Sequence, residues 1–127
     1  MEKTLAKNLE RKRPLIDNVK ITPKGPLLSF IDLNTGEFCN RKCVFCPRVN
    51  PDSYPNQKIW MRPLLAEKLS SDLHNVGFEG IVNICGYGEP LANPEIVDIV
   101  RLLSENVHTE LVTNGDLLSI NLIQSLY

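Results

Sequence analysis

Three of the four cysteines fall within eight residues, Cys39-Asn40-Arg41-Lys42-Cys43-Val44-Phe45-Cys46. The spacing is C-x3-C-x2-C. A short loop with that spacing can wrap so that three thiolates face one centre. Three ligands leave a fourth position open, and an open position is where a metal site does chemistry rather than only structure. Iron–sulfur cubanes are held by cysteine thiolates, normally four. A cubane on three cysteines keeps one iron free for another ligand. The remaining cysteine, Cys85, leaves two alternatives standing: a four-cysteine zinc site or a four-cysteine ferredoxin-type cluster. An x3-then-x2 triplet is less typical of zinc ribbons, which pair two C-x2-C knuckles. Cys85 also reads as a small buried strand residue.

The elements that must position this triplet follow from patterning. Leu27 to Leu33 (LLSFIDL) is an apolar run after Gly25-Pro26 and predicts a buried strand. Asn34 to Arg62 is a long loop that holds the triplet, and loops of that length are often functional. Pro63 opens a helix at a position proline tolerates, with Leu65, Leu69, Leu73 and Val76 as its apolar stripe and Gly77 as its stop. Ile81 to Cys85 is a second strand, running into Gly86-Tyr87-Gly88-Glu89-Pro90. Asn93-Pro94-Glu95 reads as a helix start, with Ile96, Ile99, Val100 and Leu103 facing inward. Thr109 to Thr113 is a third strand that ends at Asn114-Gly115. A last helix is expected to begin near Asp116 to Ser119.

Strands alternating with helices predict an α/β fold with a parallel sheet. In such folds ligands bind at the carboxyl ends of the strands. The three unusual segments all fall there: the cysteine loop, GYGEP and TNG. Arg48, Tyr54 and Trp60 lie in the long loop and read as surface or packing residues. His74 and His108 show no ligand spacing.

The chain has 127 residues, 14 Lys+Arg against 15 Asp+Glu, and a net charge of −1. This is an ordinary globular composition, and it gives no electrostatic case for nucleic acid as a partner. No apolar run approaches the ~20 residues of a membrane helix. The first residues lack a hydrophobic centre and a cleavage site, so the expected compartment is the cytoplasm. Residues 1–24 read as a basic, solvated leader, with a short amphipathic helix through Leu5 and Leu9 as the alternative. Residues 25–127 read as the folded part.

Taken together, these segments resemble the radical S-adenosylmethionine (radical SAM) enzymes. Cys39, Cys43 and Cys46 match that family's C-x3-C-x-Φ-C form, with Phe45 as the aromatic. Gly86 to Pro90 resembles its G-x-GEP motif after the second strand, and Thr113-Asn114-Gly115 its TNG segment after the third. The runs CNRKCVFCPR and GYGEPLANP, with Met61 before the first helix, are closest in style to the branch carrying SPASM or twitch domains. The resemblance runs from about Leu27 to Leu118.

The resemblance implies a partial (β/α)6 barrel, of which this sequence supplies the N-terminal half. It implies a [4Fe–4S] cluster on Cys39, Cys43 and Cys46, with SAM chelating the fourth iron. Gly86, Tyr87, Gly88, Glu89 and Pro90 would meet SAM, Phe45 its adenine, and Asn114 would line the site. The implied reaction is reductive cleavage of SAM to a 5′-deoxyadenosyl radical that abstracts hydrogen from a substrate, peptide or small molecule. The implied partner is a one-electron reductant of the flavodoxin or ferredoxin type. Three of six strands are present, so a fragment needing a partner or further strands is the expected alternative to a complete enzyme. An inactive SAM-binding remnant and a structural zinc module are the remaining readings.

Overall fold

The computed structural model describes residues 6, 7, 9, 10, 13, 17, 19–23 and 25–127. Leu5, one anchor of the expected leader helix, lies outside the described residues. The described residues among the first 17 are helical and exposed, Leu9 included. No described helix is long and apolar enough to cross a membrane.

Two sheets form. Strands β1 (Lys20–Thr22) and β2 (Gly25–Leu27) make an antiparallel hairpin, registered from Lys20 opposite Leu27 to Thr22 opposite Gly25. Strands β3 (Phe30–Leu33), β4 (Ile81–Ile84) and β5 (His108–Leu111) make a parallel sheet in the order β3-β4-β5. The expected strand from Leu27 to Leu33 is therefore two strands in two sheets. The chain breaks between them, with Leu28 exposed and Ser29 buried. The Ser29 carbonyl still accepts from Ile81 N at 3.0 Å, which starts the parallel ladder. The hairpin was not legible because its strands are three residues each and carry no alternation.

Helix α1 (Pro63–Asn75) begins at the expected proline. Its C-terminus is closed by two bonds of the Schellman type, Phe78 N to Leu73 O and Gly77 N to His74 O, both 3.0 Å. The buried face is Ala66, Ser70 and Leu73, with Leu69 half-buried, while Leu65 and Val76 are exposed. The expected leucine stripe is thus rotated. The reason is close packing on helix α2 (Ile96–Ser104): small Ala66 and Ser70 let the helices approach. The Ser70 hydroxyl also takes a bond from Asn106 Nδ2 at 2.9 Å. A leucine would fit neither demand.

Helix α2 starts three residues after its expected cap. A single 3-10 turn, Pro90–Ala92, comes first. Asn93 does accept from Glu95 N at 2.9 Å, but its amide nitrogen reaches away, to Thr35 O at 3.0 Å and Met61 O at 3.1 Å. Asn93 therefore ties the helix start to both ends of the long loop. Helix α3 (Ile120–Leu126) is capped by Ser119, whose Oγ accepts from Leu122 N at 3.1 Å.

The core lies between the sheet and the first two helices. Val82 and Ile84 of β4 meet Ile96, Ile99 and Leu103 of α2 and Ala66 and Leu73 of α1. Strand alternation sends Asn83 to the other face, level with Asp32 and Glu110 in the register. The sheet face opposite α1 and α2 thus carries a polar row across all three strands. Leu103→Ala, at a fully buried core position, is expected to cost about 2–5 kcal/mol. Urea unfolding would check it; a loss under about 1 kcal/mol would contradict this placement of the core.

Candidate active site

The long loop after β3 closes on itself at its neck. Gly36 bridges Trp60, Glu37 N donates to Ile59 O at 2.9 Å, and Met61 N donates to Thr35 O at 3.0 Å. Phe38 and Trp60 pack edge to face with centroids 5.9 Å apart. Beyond the neck, Asn56 acts as a side-chain strand: its Oδ1 accepts from Cys39 N at 2.8 Å and its Nδ2 donates to Cys39 O at 2.9 Å. The first cysteine is therefore fixed at its backbone. Cys46 N donates to Cys43 O at 3.0 Å, which folds the second half of the triplet into a tight turn.

Arg48, read from sequence as surface or packing, is buried and central. Its Nε donates to Tyr87 O at 2.7 Å, Nη1 to Pro55 O at 3.0 Å, and Nη2 to Glu37 Oε2 at 2.9 Å. The guanidinium also lies over the Tyr54 ring, 4.6 Å from its centroid. Tyr54 in turn packs edge to face on Tyr87. Burial, with Glu37 nearby, pushes the Tyr54 phenol above its ordinary range. One side chain thus joins the exit of the cysteine turn, the returning leg of the loop, its neck and the GYGEP turn. Proximity to Cys46 was the available signal, but nothing in the sequence gave its partners.

The GYGEP turn is pressed against that loop. Gly86 has φ +147°, and a Cβ there would meet the Asn34 side chain at 2.6 Å. A Cβ on Gly88 would meet Gly36 O at 1.9 Å. Both glycines are required, one by conformation and one by close approach. Glu89 N donates to Phe38 O at 2.8 Å. Its carboxylate is buried and fully engaged. It accepts from Leu91 N at 3.0 Å, from Thr113 Oγ1 at 2.5 Å and from Asn114 N at 2.9 Å. The turn after β4 is thereby welded to TNG after β5. A ligand at this turn finds backbone, not the Glu89 carboxylate.

TNG reaches back to the loop. Asn114 Nδ2 donates to Asn40 Oδ1 at 2.9 Å and lies 3.9 Å from Cys39 Sγ. Arg41 grips both carboxylate oxygens of Asp116, with Nε to Oδ2 at 2.6 Å. That contact holds the Asp116 carboxyl below the usual range and raises the guanidinium further.

Cys39, Cys43 and Cys46 are free and half-buried on this one loop. Among the described residues no three Cys, His, Asp or Glu side chains converge in metal-ligand geometry. The donor set nonetheless fits an iron–sulfur cluster: soft thiols, unpaired with one another, on a turn whose ends are pinned. Phe45 and Val44 form an apolar tip, 89% and 88% exposed, so Phe45 is not a core residue. Cys85 is engaged elsewhere: its thiol donates to Asp32 Oδ1 at 3.1 Å and accepts from Asn83 Nδ2 at 3.2 Å. Burial and the Asp32 carboxylate push it up to about 11, and the bonds from Asn83 and Cys85 hold Asp32 low.

A radical SAM superfamily profile matches residues 33–126, which contain all three of these segments. The chain belongs to the radical SAM superfamily. It is 31% identical over 103 residues to an S-adenosyl-L-methionine-dependent 2-deoxy-scyllo-inosamine dehydrogenase of Niallia circulans, across 79% of this chain and 40% of that protein. It is similar to the crystal structure of BtrN in complex with AdoMet and 2-DOIA, with a TM-score of 0.70, 30% identity, and 79% and 41% of the two chains covered. Selenomethionyl BtrN in an open conformation matches with a TM-score of 0.65 at the same identity, over 79% and 45%. The radical SAM chain thus spans about two fifths of the length of these relatives.

Two outcomes are expected. Glu89→Ala strips the partner from three donors and should cost about 3 kcal/mol or more in urea unfolding. A cost under about 1 kcal/mol would contradict the weld. Cys85 titrates higher folded than unfolded, so its contribution is complete below the ordinary value of 9.0 and is lost as pH rises toward about 11. Cys85→Ala should flatten that alkaline loss of stability in a pH series of melts; an unchanged slope would contradict the raised thiol.

Proposed function

We propose that this chain carries the cluster and SAM site of a radical SAM oxidoreductase acting on a small polar substrate. The carrying observation is that three segments on adjacent parallel strand ends are cross-linked into one rim by Arg48, Glu89 and Asn114. Cys39, Cys43 and Cys46 would hold a [4Fe–4S] cluster and leave one iron for SAM. When bound, that pair supplies one-electron cleavage of the sulfonium and a 5′-deoxyadenosyl radical able to take hydrogen from substrate. The electron would come from a flavodoxin- or ferredoxin-type reductant.

The chain's own residues do the placing. The backbone carbonyls of Gly86 and Gly88 would accept from the SAM amino group, since the Glu89 side chain, Tyr87 O and Glu89 O are already committed. Gly86 and Gly88 bring that backbone against the cysteine loop. The exposed Phe45 ring would be free to stack on adenine. The sheet face opposite α1 and α2, with Asp32, Asn83 and Glu110 in register, offers donors and acceptors to a substrate bearing hydroxyl or amino groups. The dehydrogenase relative, which acts on an inosamine, supports this substrate class and the oxidoreductase direction. Cys85, held as a thiol by Asp32, is outside the ligand set.

Anaerobic loading with iron and sulfide tests this. The wild type should bind about four irons per chain, and Cys43→Ala should abolish loading while Cys85→Ser leaves it intact. Reductant with SAM should then release 5′-deoxyadenosine. Zinc in place of iron, or loss of the cluster in Cys85→Ser, would overturn the reading.

A further inference from the structure

The contacts around Asn114 go beyond lining a site. Its Oδ1 accepts from Asp116 N at 3.0 Å, which fixes the amide so that Nδ2 is the end facing the cysteine loop. One Nδ2 hydrogen goes to Asn40 Oδ1 at 2.9 Å. The other has Cys39 Sγ at 3.9 Å, within reach of an N–H···S bond. Arg41 N approaches the same sulfur at 3.4 Å. Neither Cys43 nor Cys46 has such a sulfur contact among the described residues.

Resting on the cluster reading above, we propose that Asn114 is a hydrogen-bond donor to the Cys39 thiolate that raises the reduction potential of the bound cluster, and that the Arg41–Asp116 pair is the latch holding it there. Reduction adds negative charge to a cluster, and hydrogen bonds to its sulfurs are among the factors that set its potential. A donor aimed at a ligand sulfur stabilises the reduced form more than the oxidised one. The latch has the geometry for a positioning role. Arg41 bonds both Asp116 oxygens, and Asn40 Nδ2 joins Oδ2 at 3.2 Å. The guanidinium fork is planar and rigid, so it fixes orientation as well as distance. It connects positions 75 residues apart, the first half of the cysteine loop and the turn after β5. Both partners are half-exposed, so the pair contributes little to overall stability. Its effect is local geometry at Cys39.

The test is a redox titration of the iron-loaded chain followed by electron paramagnetic resonance. Asn114→Leu should move the midpoint to lower potential with iron content unchanged. Arg41→Gln should move it the same way by less. The charge swap Arg41→Asp with Asp116→Arg should return it toward wild type, which a general loss of packing would not do. An unshifted or higher midpoint in Asn114→Leu, in a chain that loads normally, overturns the proposal. If wild type itself fails to load, the cluster reading falls instead. The latch is then read in the metal-free chain by amide hydrogen exchange across residues 39–46. Arg41→Gln should speed exchange roughly threefold to fivefold, and the swap should restore it. Unchanged exchange would refute the latch.

Discussion

A long loop with few apolar side chains keeps its shape only if its polar groups are answered, and here two buried ions answer them. The Glu89 carboxylate gathers donors from the turns after β4 and β5. The Arg48 guanidinium gathers acceptors from the cysteine loop's exit, its return leg and the GYGEP turn. Each ion is out of water, so each is costly unless its bonds are complete. Completion fixes the three segments relative to one another. The cysteine turn is thereby placed without a hydrophobic core beneath it.

That constraint explains the division of labour in the fold. The helix side of the sheet is ordinary apolar packing, Val82 and Ile84 under α1 and α2. The rim and one row of the opposite sheet face are polar, from Asp32, Asn83 and Glu110 up to Asn114 and Asp116. Apolar burial lies on one side, and the polar bonds that place the three segments lie on the other. Asn93 joins the two, capping the approach to α2 while holding Thr35 O and Met61 O at the feet of the loop.

Much of this was legible in sequence because the signals were local. Proline at the start of α1, the Gly77 stop, the apolar run of β4 and the cysteine spacing each carry their meaning within a few residues. The strand-end placement of all three motifs followed from alternation alone. What was not legible depended on tertiary partners. The stripe on α1 turned toward Ala66 and Ser70 because α2 lies close. The Leu27–Leu33 run split because β2 pairs with β1 and β3 with β4. Arg48 and Asn56 looked like ordinary loop residues, since their acceptors lie up to 39 residues away in sequence.

The central claim is that the triplet holds iron with one coordination position left to SAM. Titrating SAM into the reduced, iron-loaded wild-type chain under anaerobic conditions, with the cluster's electron paramagnetic resonance recorded at each step, tests it directly. A new signal that saturates near one SAM per cluster is the predicted result. A cluster signal that stays constant through a large excess of SAM would contradict it.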